Sequence, residues 1–422
     1  MLNNIKQAAK IRDIRKKILF TLMIIVVFRM GTTIPVPGIN TSIIQNMVKN
    51  NSLLGLYNMF SGGAFSNFTI FALGIGPYIT ASIIIQLLTA GFESLKELQK
   101  SGEEGKKKLD KYTRGTALLL AIVQAIGITL GVVRSALKVN SPFFITTVII
   151  TLVAASMMVM WLGDRITEKG LGNGASVLIF IGIVSRTPID IIQIAQKANT
   201  GALQWPAIAS LVVVILLTIT GVTFITESVR KIPVQYAKRV VGRKLYGGDS
   251  SHIPMKVNQS GVMPIIFASS ILALPQTIAL LGGPSMQKAV NTFFNLQTDQ
   301  GFWTYRSIEI VLIILFSYFY NTISFNTEDI SKNMKNSGGF IPGIRPGNPT
   351  EKYLNGILSK LTIVGAAFLG IMAMIPALIT HYMHIPMNLG GTSLLIVVGV
   401  ALELKRQLES NLVMRNYQGF LK

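Results

Sequence analysis

His381 and His384 stand three residues apart, a spacing at which two imidazoles on one helical turn could share a metal ion. The chain contains no cysteine, no Asp or Glu lies close to the pair in sequence, and the third histidine, His252, is far away. The two read as interfacial side chains, and no metal site is expected. Nucleotide chemistry is missing as well. A phosphate-cradling loop ends in Gly-Lys-Ser or Gly-Lys-Thr, and Gly247-Gly248 and Gly338-Gly339 have neither that lysine nor a helix behind it. No His-Glu-x-x-His and no dinucleotide fingerprint occurs. The sequence therefore predicts no catalytic residues, no cofactor and no enzyme activity of its own.

The side chain best placed for recognition is Arg345. It lies in Gly338-Gly-Phe-Ile-Pro-Gly-Ile-Arg-Pro-Gly-Asn-Pro349, where three prolines and four glycines in twelve residues forbid a helix while limiting the freedom of the turn. A cation held there is positioned rather than trailing. A second basic stretch, 227–258, carries Arg230, Lys231, Lys238, Arg239, Arg243, Lys244 and Lys256 among its own glycines and prolines. Setting topology and touching anionic lipid would account for charge alone, but not for the turn chemistry around Arg345.

These loops must hang from something, and composition says what. Half of the 422 residues are hydrophobic and only 14% are charged, which excludes an ordinary soluble enzyme. Ten stretches of spanning size follow one another: 18–35, 71–90, 115–134, 143–162, 174–194, 206–226, 259–280, 307–325, 361–380 and 391–408. The fifth is the weakest, since Arg186 follows a charge-free core of 16 residues. With ten spans both termini share a side, and that side holds 31 of the 39 Lys and Arg residues, so it is cytoplasmic. The basic start before the first apolar run lacks a small-residue cleavage site, and that run is read as a retained helix. Ten also divides into five plus five, with halves expected at 1–200 and 201–422.

One stretch departs from the pattern. Asn50 to Phe92 holds no charged residue over 43 positions, about twice what one crossing of ~30 Å needs. Its second half, 73–89, reads as a span with Pro77 near its start. Its first half, with Tyr57, Asn58, Met59, Phe60, Ser61, Gly62, Gly63, Ala64 and Phe65, is too polar and too interrupted to cross. Irregular backbone at depth is tolerated only beside protein or an aqueous cavity. A short re-entrant helix over about 55–68, serving a pore or cavity, is expected.

Ionisable groups avoid mid-depth in nearly every span: Arg29, Asp164, Glu227, Glu309 and Glu403 fall near span ends. Ion-coupled carriers usually keep such a group at the site, which argues against an inverted-repeat secondary transporter. That alternative stays open at this point, as does an insertase or scaffold with no aqueous path.

Seven motifs in order resemble the SecY/Sec61-alpha family: the run Leu73 to Leu88, Asn58-Met-Phe-Ser-Gly-Gly63, Gly172-Asn-Gly174, Lys256-Val-Asn258, Phe267-Ala-Ser-Ser270, Pro342-Gly-Ile-Arg-Pro-Gly347 and Gly391-Thr-Ser-Leu-Leu-Ile-Val-Val398. The resemblance runs from the basic N-terminal helix to the short C-terminal tail. It implies an all-α polytopic membrane protein, a clamshell of two inverted five-helix halves hinged between the fifth and sixth spans, with a central pore. It implies a conduit for unfolded secretory polypeptides in the bacterial cytoplasmic membrane, which also releases transmembrane segments sideways into lipid.

Carried over motif by motif, the family's pore ring falls on Ile79, Ile83, Ile179, Ile266 and Ile396, and its plug on Tyr57 to Phe65. The lateral gate would lie among the second, third, seventh and eighth spans, with Gln86, Gln124 and Asn258 near its seam. Arg345, Arg243, Lys238 and Arg239 would meet a SecA-type motor ATPase and the ribosome's rRNA phosphates. Other implied partners are SecE-type and SecG-type subunits, signal sequences, nascent chains and anionic lipids. An aliphatic ring has physical merit of its own, because a constriction without polar groups dewets and blocks ions yet offers a passing chain no directional bonds.

Overall fold

The computed structural model describes residues 11–50, 54, 55, 58, 61–137, 141–201, 204–236, 239–241, 244–246, 250–296, 298–383 and 391–419. The chain begins with α1 (Arg12–Gly31) and α2 (Thr41–Asn50) and passes through a run of turns over 61–75. Then follow α3 (Gly76–Gly91), α4 (Glu93–Lys100), α5 (Glu103–Gly131), α6 (Pro142–Lys169), α7 (Gly174–Asn199) and α8 (Trp205–Glu227). Beyond an excursion of strands come α9 (Met263–Leu272), α10 (Leu274–Leu281), α11 (Gly283–Phe294), α12 (Asp299–Ser324), α13 (Thr327–Asn336), α14 (Asn348–Tyr382) and α15 (Gly391–Gly419).

This is a polytopic α-helical membrane protein. Six stretches among the described residues are long and apolar enough to cross a bilayer: α5, α6, α7, α8, the run Asp299–Asn336 and α14. The pair α3 and α4, bent by 102°, makes a seventh if taken as one span. The other expected stretches are helical too. α1 opens on Arg12, Arg15, Lys16 and Lys17, and the seventh stretch is divided between α9 and α10.

Several boundaries differ from the sequence expectation for local reasons. α5 and α14 run well beyond their apolar stretches, starting at Glu103 and Asn348, so much of the predicted cytoplasmic loop is helix. Both starts follow a glycine with positive φ, Gly102 at 78° and Gly347 at 100°, and α14 carries Pro349 in its first turn, where a missing N–H costs little. α7 continues through Pro188 to Asn199, and Asp190, buried one turn beyond Arg186, faces it at 3.8 Å. The supposedly weak fifth span is thus extended by an internal ion pair, a spacing of four that places both side chains on one face.

The 227–258 stretch is also more ordered than a loop. β1 (Val229–Tyr236) pairs antiparallel with β4 (Ser250–Lys256), from Val229 opposite Lys256 to Gln235 opposite Ser250. β2 (Arg239–Val241) and β3 (Lys244–Tyr246) form a separate small hairpin. From Lys231 to Gln235, β1 alternates outward Lys231, Pro233 and Gln235 with buried Ile232 and Val234, a period of two that the neighbouring basic residues mask. A further short strand, β5 (Gly339–Phe340), adds to the other edge of β1. Under this sheet, Ile232, Val234 and Met255 pack with Met334, Ile341, Leu354, Ile357 and Leu358, a small core separate from the one in the membrane.

Candidate functional site

The largest hydrophobic cluster lies among the spanning helices and contains all five isoleucines of the implied ring. Ile79 and Ile83 come from α3, Ile179 from α7, Ile266 from α9 and Ile396 from α15, and none is more than 6% exposed. Their helices touch: α3 packs on α9, α9 on α15 and α15 on α7. None of the five faces outward. Four helices from distant parts of the chain therefore bring β-branched aliphatic side chains into one cluster that is closed to solvent.

Glycines allow the close approaches on which this cluster depends. A Cβ at Gly174 would lie 1.8 Å from the Gly163 carbonyl oxygen, so α7 can begin against α6 only without a side chain there. Gly172, with φ +84°, turns the chain into that start, the Asn173 side chain caps α7 by accepting from Ser176 N, and Thr167 Oγ1 accepts from Gly174 N at 2.9 Å. At the far side Gly391 opens α15 where a Cβ would lie 1.8 Å from the Ala373 carbonyl oxygen. Both glycine motifs thus set where a ring-bearing helix starts.

Of the expected plug residues, Tyr57, Met59 and Phe60 lie outside the described residues. Leu54, Gly55 and Asn58 are helical, as expected for the start of the 55–68 helix, but from Ser61 onward the segment forms tight turns, because Gly62 and Gly63 take φ of 65° and 88°. The segment bonds to itself: Gly63 N donates to Asn58 O, Ser66 N to Asn58 Oδ1, Phe65 N to Ser61 Oγ and Thr69 N to Ala64 O, all between 2.8 and 3.0 Å. Asn58, Ser61, Ala64 and Phe65 are buried, and Ala64 belongs to the same cluster as the five isoleucines. Val36 N donates to Phe68 O and Ile70 N to Ile34 O, tying the segment to the chain that leaves α1.

The three amides near the implied gate behave differently from one another. Gln86 donates to Ser82 Oγ one turn back on its own helix, and Asn258 donates to Gly261 O within its own turn. Gln124 is 4% exposed and its Oε1 has no partner. It sits on α5, which packs against both α3 and α10. Phe267 of α9 makes edge contacts with Phe316 and Tyr320 of α12, so the seventh and eighth stretches meet through aromatic rings.

Outside the spanning helices Arg345 is exposed on a turn that hydrogen bonds hold from both sides. Thr350 Oγ1 donates to Arg345 O at 2.8 Å, Ser331 Oγ to Gly347 O at 2.8 Å and Ile344 N to Ile341 O at 3.0 Å. Lys238 and Arg243 lie outside the described residues, and Arg239 sits in β2. The platform is fastened to the membrane body near Glu227, which pairs with Lys405, while Arg406 donates to the Thr226 carbonyl. Lys256, at the end of β4, has its ammonium pushed below the ordinary range by burial and then by Arg406.

Sequence reasoning missed two buried charged pairs. Arg186 and Asp190 are one; the other is Arg306 with Glu309 at 2.5 Å, flanked by Phe302 and Tyr305. The i, i+3 and i, i+4 spacings were the available signal. His381 stacks on Phe302 and meets Asp299 through Nε2 at 2.8 Å, while His384 lies outside the described residues. No group of three metal-binding side chains occurs among the described residues.

Residues 69–405 match the SecY family. The protein translocase subunit SecY of Streptomyces scabiei is 43% identical over 439 residues, covering all of both chains. That of Thermotoga maritima is 43% identical over 429 residues, covering 99% of this chain and 97% of its own. Among solved structures the fold is similar to a protein conducting channel and to a SecY protein whose plug domain stabilises the closed state of its channel. Each has a TM-score of 0.69 at 18% identity, covering 94% of this chain and 92% of the other. It is also similar to Sec61 from a canine ribosome-channel complex, with a TM-score of 0.64 at 17% identity and the same coverage. With a family match over most of its length and relatives aligned end to end, the chain belongs to the SecY family.

Proposed function

We propose that this chain is the channel subunit of a protein translocase, passing unfolded polypeptides across the bacterial cytoplasmic membrane and releasing apolar segments sideways into lipid. The observation that carries the reading is that Ile79, Ile83, Ile179, Ile266 and Ile396, drawn from four helices, are all buried within one apolar cluster among the spanning helices. A constriction of aliphatic groups excludes water and ions when empty, and it deforms around a threaded chain without binding any particular sequence. A carrier would need a polar site at such a waist.

The finer architecture follows from the same reading. Ten spans form two inverted halves, 1–200 and 201–422, with both termini cytoplasmic. Residues 57–65 plug the outer funnel, and a seam between α3 and α5 on one side and α9, α10 and α12 on the other opens toward lipid. At that seam hydrophobicity is what is sorted, at tenths of a kcal/mol per residue. Arg345, Lys238, Arg239 and Arg243 face the cytoplasmic partners, a motor ATPase or a ribosome whose phosphates suit basic loops. Energy comes from those partners. SecE-type and SecG-type subunits complete the assembly.

The cysteine-free sequence permits a direct test. Single cysteines at positions 79, 83, 179, 266 and 396 are expected to crosslink to a secretory chain stalled in transit, whereas cysteines at the outward-facing Val213 and Leu216 are not. Crosslinks that favour the outward positions would reject the conduit.

A further inference from the structure

Arg29 is a cation in the last turn of α1, where a lone positive charge needs an explanation. Its Nη1 donates to Ser185 Oγ on α7 at 2.8 Å and also reaches the Gly62 carbonyl oxygen at 3.5 Å. Ser185 Oγ in turn donates to Gly182 O at 2.9 Å. Gly62 lies against the same residue: a Cβ built there would stand 2.8 Å from Gly182 Cα. Close by, the Phe28 ring stacks on Phe71 at 5.8 Å, and a Cβ on Gly31 would overlap the Phe71 ring. The end of α1 and the middle of α7 thus form two walls around the diglycine, and Arg29 bridges them.

We propose that Arg29 is the positioning residue that latches the 58–69 segment in its seat, anchored on Ser185 and gripping the Gly62 carbonyl. This rests on the plug reading given above. The two bonds differ in the way a latch requires. The short bond to Ser185 stays within the helix pair and orients the guanidinium, while the long one to Gly62 is the contact that breaks when the segment leaves. The guanidinium's several donors let it hold both at once, which a lysine ammonium at this position does less well. The segment's internal hydrogen bonds do not involve Arg29, so its part before Phe68 can swing out about the Val36–Phe68 and Ile70–Ile34 bonds and return to the same grip.

Two measurements on the complex, purified with its companion subunits, test the latch. In the first, Ala64→Cys places a thiol at a position with no exposure in the seated segment. Labelling by a membrane-impermeant maleimide from the external face then reports departures. Adding Arg29→Met is expected to raise the labelling rate about tenfold, the ratio that corresponds to ~1.4 kcal/mol. Arg29→Lys and Ser185→Ala should give smaller increases. Equal rates in all four backgrounds overturn the proposal. In the second, idle current in planar bilayers should rise with Arg29→Met in the intact channel and gain nothing from it once 57–65 is deleted. An equal gain in the deleted channel assigns Arg29 to packing of α1 on α7 and overturns the latch alone. A deletion that leaves idle current at the wild-type level removes the plug reading and the latch together.

Discussion

The apolar cluster among the spanning helices, proposed as the waist, and the strand-and-turn platform around β1 are built on opposite principles. In that cluster, Ile79, Ile83, Ile179, Ile266 and Ile396 from four helices offer only shape and lack of polarity, since an aliphatic side chain makes no directional bond. At the platform, strand pairing, capped turns and side-chain-to-backbone bonds fix one exposed arginine in place. A surface that must admit any sequence does best with non-directional contacts, whereas a surface that must recognise a partner needs a pre-set geometry. The waist should therefore tolerate apolar exchange and fail on polarity; the platform should tolerate little change of charge and much change of apolar detail.

The sharpest way to break this contrast is Arg345→Glu. Because the turn is held by the Arg345 carbonyl rather than its side chain, the substitution should leave folding intact. It is expected to cut motor-driven export at least ~30-fold, the scale of a hot-spot contact, in a reconstituted vesicle assay. Export at the wild-type rate would remove Arg345 from the partner surface.

Next in size is Gly174→Ala, whose methyl would meet the Gly163 carbonyl at 1.8 Å. Overpacking of this kind costs about 1–3 kcal/mol, and a thermal scan of the purified complex should show a lower melting midpoint. At the waist itself, Ile179→Asn should raise resting ion current, since an amide stabilises a water column. Ile179→Val, a loss of about 0.5–1.5 kcal/mol, should leave the current near wild type. Matching currents for the two variants would show that polarity is not what the waist excludes. An effect of the opposite sign is expected from Gln124→Leu, which removes an unpartnered buried carbonyl oxygen. Leaving such a group unsatisfied costs about 1–3 kcal/mol, so chemical denaturation should need slightly more denaturant.

How far the sequence could be read differs between the same two regions. Apolar stretches of spanning length were visible, since a helix in lipid satisfies its own backbone and only composition need be right. The proposed ring is not visible from residue type alone: Ile179 and Ile266 look like any other isoleucine in a span, and only the Gly172-Asn-Gly174 and Phe267-Ala-Ser-Ser270 contexts single them out. The platform's strands were hidden because Arg230 and Lys231 mask the alternation of Ile232 and Val234, and β5, two residues long, has no signature of its own. The turns at Gly62 and Gly63 were recognisable as an interruption, but their packing against Gly182 joins residues 120 positions apart in the chain, which spacing cannot report.

The strand Gly339–Phe340 lies on the edge of β1 through Gln235 and Tyr236, although a hundred residues and the helices α9 to α13 separate them. Two handles that look independent along the chain are thus one rigid grip. Whatever seizes the Arg345 turn therefore also pulls, through β5 and β1, on the end of α8, so a force applied at one point of the platform reaches two distant stretches of the chain together.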